Sequence, residues 1–137
     1  MRYLAVDHGE KRTGLAISDA SETVVSPYAV IETTSQQELV RRITETIRCE
    51  EIETVIVGLP FNMDHTEGPR AKKVRQFSLA LESQTDCPIL LYDERLSSFE
   101  ADYLSEELNL TRKKKKKRLD AIAAAAILRS FIEQKRR

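Results

Sequence analysis

The chain carries no excess of charge: 22 Lys and Arg are matched by 22 Asp and Glu, so net charge points to no class of partner. Cysteine is scarce. Cys49 and Cys87 lack metal-site spacing and read as free thiols in a reducing cytoplasm. No signal peptide is recognisable, because an apolar strand pattern begins almost at Met1. The longest apolar run, Ala121 to Leu128, is alanine-rich and far too short to span a bilayer. These absences describe a soluble, cytoplasmic protein. There is also no internal repeat, no linker and no RNA-recognition motif, and no aromatic ladder offers base stacking. The 137 residues fit one domain, residues 1–137. A chain of this length buries roughly two-thirds of its unfolded surface.

What is present begins with Tyr3 to Val6, an apolar run that ends in Asp7 and is followed by Gly9. It reads as a strand that delivers a carboxylate to a sheet edge and then turns. Thr13 to Ser18 is a second strand, close enough to pair as an antiparallel hairpin, and Gly14 inside it signals a bulge or a close backbone approach. Val24 to Ile31 is a third strand, placed at an edge by Pro27, which has no N–H to donate. Ser35 and Glu38 form a capping box, and Leu39, Val40, Ile43 and Ile47 continue at helical spacing to about Cys49.

Thr54 to Val57 and Pro88 to Tyr92 are continuously apolar, as strands covered on both faces would be. Pro69 opens a helix running to about Ser83, with Val74, Phe77 and Leu81 on one face. A second capping box, Ser97 to Glu100, precedes a helix carrying Ala101, Leu104 and Leu108, and Leu119 to about Gln134 is the last helix. Right-handed crossovers make the two later strands parallel to the first. The expected architecture is α/β, a five-stranded mixed sheet with an antiparallel meander on one side and helices on its faces.

Functional groups of such sheets gather beyond the carboxyl ends of the parallel strands. Asp7 and the pair Asp93-Glu94 fall there, and Asp120 lies in the first turn of the last helix beside residues that must be buried. Singly, each has a bland role: an Asx turn for Asp7, a basic neighbour for Glu94, a dipole partner for Asp120. Together, carboxylates without His or Cys favour a hard cation, Mg²⁺ or Mn²⁺, and hence phosphate chemistry.

These residues resemble the YqgF family, also called RuvX, whose members are candidate Holliday junction resolvases with an RNase H-like fold. The resemblance rests on Asp7-His-Gly9 with Lys11, Arg12 and Gly14; on Val57-Gly-Leu-Pro60 with Asn62-Met63 and Thr66-Glu-Gly-Pro69; on Asp93-Glu-Arg-Leu-Ser97; and on the basic run leading to Asp120-Ala121. It spans almost the whole chain. It implies a metal-dependent nuclease site held by Asp7, Glu94 and Asp120, with one or two ions. Asp93 adjoins Glu94, and Glu94 is the choice the family pattern suggests. The family is associated with 5′-end processing of the 16S ribosomal RNA precursor and, through its fold, with DNA junction resolution.

Two residues depart from the pattern. His8 and Glu10 stand where relatives often carry a smaller residue and a threonine. Glu10 would add negative charge near the metal site, and His8 reads as an exposed turn histidine without a catalytic role.

Seven basic residues, Arg112, Lys113, Lys114, Lys115, Lys116, Lys117 and Arg118, immediately precede Asp120. At a helix start the dipole disfavours them, so phosphate contact gives the run a use. Lys11, Arg12, Arg70 and Arg95 extend the patch. The leading expectation is an endonuclease for structured nucleic acid, precursor 16S RNA ahead of a four-way DNA junction. The alternative is a nucleic-acid-binding assembly factor without catalysis, and a third reading, one lobe of a sugar kinase or actin-like ATPase, ranks below both. A junction enzyme needs two sites and hence a homodimer; a monomer favours RNA.

Overall fold

The computed structural model describes residues 1–61, 66–94 and 112–136, with the backbone alone for residues 112–118. Its organising strand is β1 (Tyr3–Asp7), whose alternate side chains serve two cores. Leu4 and Val6 join one cluster and Tyr3 and Ala5 the other, and all four are buried. A strand buried on both faces must lie inside the sheet. The strand order is β3-β2-β1-β4-β5, which puts β1 at the centre.

β2 (Arg12–Ser18) pairs antiparallel with β1, Asp7 opposite Gly14, and β3 (Val25–Glu32) continues the meander. Pro27 sits on β3, an edge strand, where its missing N–H costs no ladder bond. β4 (Thr54–Leu59) runs parallel to β1, and β5 (Ile89–Asp93) parallel to β4. The carboxyl ends of β1, β4 and β5 therefore open on one side of the molecule.

Helices α1 (Gln36–Cys49) and α2 (Pro69–Glu82) cover the Leu4–Val6 face. Ser35 accepts a hydrogen bond from the Glu38 amide at 3.2 Å, the cap expected of its sequence. Ile43, Phe77 and Leu81 pack beneath these helices with Val55 and Val57. Each such side chain contributes about 1.5–3 kcal/mol by leaving water.

The opposite face is covered by α3 (Arg112–Arg136). Here the sheet presents Ala5 and Ala16 and the helix Ala124 and Ala125, so small residues meet small residues. The end of α3 is tied back to the sheet: Lys135 Nζ donates to Tyr3 Oη at 2.6 Å and to Glu22 Oε1 at 2.7 Å.

Two expectations are corrected. β5 is not covered on both faces: Leu90 and Leu91 are exposed, because the strand ends the sheet and its apolar run cannot tell an edge from a centre. The last helix begins at Arg112, not at Leu119. Lys and Arg are good helix formers, and no Gly or Pro interrupts the basic run. Asp120 is thus well inside the helix, not in its first turn. The helix expected after Ser97 lies outside the described residues. No helix among the described residues is long and apolar enough to cross a membrane.

Candidate functional site

Asp7 is the last residue of β1, Glu94 follows β5 directly, and Asp120 projects from α3, which crosses the sheet behind them. The sheet brings these three carboxylates into one electrostatic neighbourhood. Burial, then the charge of Glu94, a hydrogen bond with Glu94 and the charge of Asp120 push the Asp7 carboxyl up to about 8. Two carboxyls this close share a proton, with protonated Asp7 donating to Glu94. Glu94 therefore reaches Asp7. Burial also raises the Asp120 carboxyl, and the Arg12 guanidinium offsets part of that rise.

Asp120 is set by a close approach of main chains. A Cβ built on Gly14 would stand 1.9 Å from the Asp120 carbonyl oxygen, so only glycine lets α3 come this near β2. Of the two uses expected for Gly14, the close approach is the one realised; the register shift of β2 falls between Leu15 and Ala16. At Gly58, on β4, a Cβ would meet Ile127 Cδ1 at 2.7 Å and Glu94 Cβ at 3.7 Å, which ties the seat of Glu94 to a second glycine.

No three His, Cys, Asp or Glu side chains among the described residues stand together as a ready metal cluster. Asp7 and Glu94 touch, and Asp120 acts on Asp7 through its charge. The donors are all oxygens, and a crowded acid pair is relieved when a divalent cation replaces the shared proton. That chemistry fits Mg²⁺ or Mn²⁺ rather than a soft metal.

The turn after Asp7 differs from its sequence reading. His8 is half-buried, its ring 4.7 Å from that of Phe77, rather than an exposed turn residue. Burial and the charges of Arg70 and Lys73 lower its pKa to about 4, so the imidazole is neutral near pH 7. Glu10 is exposed and pairs with Lys73 at 3.1 Å, so its charge is compensated before it bears on the carboxylates.

Arg70 has a larger part than a place in a basic patch. From the first turn of α2 its Nη2 donates to the His8 carbonyl at 2.6 Å, while Nη1 is buried without a hydrogen-bond partner among the described residues. Its charge also lowers the pKa of Asp7. Pro69 marks the helix start in the sequence, but nothing local marks that it reaches this turn.

Among the other basic candidates, Lys11 and Arg12 are exposed beside the site, and Arg12 pairs with Glu32 at 3.6 Å. Residues 112–118 form the first two turns of α3, leading directly to Asp120. Arg95 lies outside the described residues.

The chain matches the model of the family described as RuvX, Holliday junction resolvase, over residues 1–134. A protein of Maridesulfovibrio salexigens, named as a candidate pre-16S rRNA nuclease, is 39% identical over 132 residues, covering 96% of this chain and 98% of that one. One of the same name from Lachnospira eligens is 38% identical over the full length of both chains. Among solved structures, RuvC of T. thermophilus in complex with a Holliday junction superposes with a TM-score of 0.64 at 14% identity, covering 99% of this chain and 96% of that one. This likeness is one of fold, RNase H-like, and agrees with the mixed sheet described above. The chain belongs to the RuvX family.

Proposed function

We propose that this protein is a divalent-metal-dependent nuclease that hydrolyses phosphodiester bonds in structured nucleic acid, with the 5′ region of precursor 16S ribosomal RNA as its substrate. The observation that carries this reading is the raised Asp7 carboxyl, hydrogen-bonded to Glu94, at the carboxyl edge of a RuvX-family sheet. Catalysis of this kind needs clustered oxygen donors, and ionised carboxylates crowded together need a cation.

Asp7 and Glu94 would hold Mg²⁺ or Mn²⁺, with Asp120 completing the set. When bound, the ion supplies an activated water and charge stabilisation at the leaving oxygen. The chain's own residues then have separate tasks. Asp7 and Glu94 give up their shared proton and present oxygens. Arg70 fixes the turn that carries Asp7 through the His8 carbonyl. The basic turns of α3 and Lys11, Arg12 and Arg95 attract the phosphate backbone, giving strong salt dependence and little sequence preference.

The preference for RNA rests on the names of the two relatives; the fold of RuvC supports a four-way DNA junction as the second reading. Purified protein should be offered both labelled substrates side by side with Mg²⁺ and with Mn²⁺, and its mass in solution measured in parallel. Cleavage of the RNA by a monomer supports the first reading. Paired, symmetric nicks in the junction by a homodimer support the second. Binding without cleavage of either would leave an assembly factor.

A further inference from the structure

A cavity of about 410 Å³ opens between the turn after β1 and the amino ends of α1 and α2. His8, the residue after Asp7, and Arg70, whose charge acts on Asp7, belong to its wall. Its titratable lining is unequal in sign. Lys11, Arg70 and Lys73 supply three cations and Glu10 supplies one carboxylate.

The rest of the lining is polar: Thr and Ser hydroxyls and Gln amides, with Leu39 as the one aliphatic side chain. A surface of this kind binds phosphate and sugar and offers a base little to stack on. Arg70, in this wall, keeps a buried charged donor, Nη1, without an acceptor among the described residues. Such donors ordinarily find one.

We propose that this cavity is a second backbone subsite of the nuclease, holding the phosphodiester strand beyond the bond at Asp7 and Glu94, with Lys11 and Lys73 as the cations that touch it. The proposal rests on the nuclease reading only for the identity of the strand; the groove's affinity for a phosphate backbone is separate from cleavage. Lys73 pairs with Glu10, so a bound strand competes with that carboxylate for the ammonium. Glu10 then tunes affinity rather than blocking it.

The test measures binding of a fluorescein-labelled precursor 16S RNA segment to full-length Asp7→Asn protein across a salt series, with and without Lys11→Gln and Lys73→Gln together. Both lysines are exposed, so unfolding temperature should not change. With two phosphates no longer neutralised, affinity should be about tenfold lower and the salt slope smaller by about 1.4. Glu10→Gln should act in the opposite direction and tighten binding.

Unchanged affinity and slope in a folded double variant would overturn the subsite, and so would weaker binding with an unchanged slope. Cleavage by the wild-type protein is read alongside. A subsite that fails while wild type cleaves leaves the nuclease reading standing. Binding that depends on the groove without cleavage keeps the subsite and removes the nuclease reading.

Discussion

Gly14 and Asp120 meet main chain to main chain: a Cβ on residue 14 would lie 1.9 Å from the Asp120 carbonyl oxygen and 2.6 Å from the Ala121 nitrogen. Neither partner is the end of a flexible side chain, so the helix itself must give way. Gly14→Ala should therefore cost about 3 kcal/mol or more, the upper range for overpacking. It should also displace Asp120 and lower cleavage further than stability alone explains. Chemical denaturation and turnover of the residual folded protein check this; an alanine tolerated in both would mean the two backbones are not held together.

The pH dependence of the metal-free protein carries two opposed signs. Asp7 rises from 3.8 to about 8 on folding, so between those values the folded state holds a proton the unfolded state has lost, and stability falls as pH rises. His8 drops from 6.5 to about 4, so between those values the unfolded state holds the extra proton and stability rises with pH. The two contributions cancel from about pH 4 to 6.5, and Asp7 alone leaves a decline from 6.5 to 8.

Denaturation in chelator across this range should show that shape. Asp7→Asn should convert it to a rise that levels at 6.5, and His8→Gln to a continuous fall. Added Mg²⁺ should remove the decline at the alkaline side, because the cation takes the proton's place. A profile unaltered by Asp7→Asn would contradict the shared-proton pair.

Arg70→Ala removes a charge-assisted bond to the His8 carbonyl and should cost about 1.5–3 kcal/mol. Arg70→Lys keeps the charge without the planar reach and should recover only part of the loss. Cleavage rates of both variants, measured well below their unfolding temperatures, should follow the same order; equal loss in the two would assign Arg70's effect to geometry alone.

Replacing Lys113, Lys114, Lys115, Lys116 and Lys117 by Gln should weaken nucleic-acid binding and reduce its salt slope by about 0.7 for each phosphate left without its cation. It should not reduce thermal stability, since the run occupies the amino end of α3, where the helix dipole disfavours cations. Fluorescence anisotropy and thermal melts of one preparation check both.

Much of this architecture is readable in the residues. The apolar run from Tyr3 that ends in Asp7, Pro27 on its edge strand, the Ser35 cap and Gly14 each report a local constraint. The expectation that Asp7, Glu94 and Asp120 gather followed from strand direction, and the electrostatics of Asp7 tie it to the other two.

Other features depend on neighbours distant in sequence and leave no local mark. Leu90 and Leu91 look like core residues until β5 is seen to end the sheet. His8 looks like a turn residue until Phe77, on α2, supplies a surface for its ring. Glu10 looks like a charge aimed at the site until Lys73 neutralises it. The start of α3 is hidden because a polar run has no hydrophobic periodicity, although its helix propensity is high.

The most direct measurement is cleavage of labelled precursor 16S RNA in saturating Mg²⁺ or Mn²⁺ by wild-type and Asp7→Asn proteins purified alike. The wild type should cleave, a chelator should stop it, and the variant should fold normally yet lose more than about 100-fold in rate, since even residues behind a metal's own ligands cost about 10–100-fold. Full activity in Asp7→Asn, or wild-type cleavage that persists in chelator, would contradict a metal centre built on the end of β1.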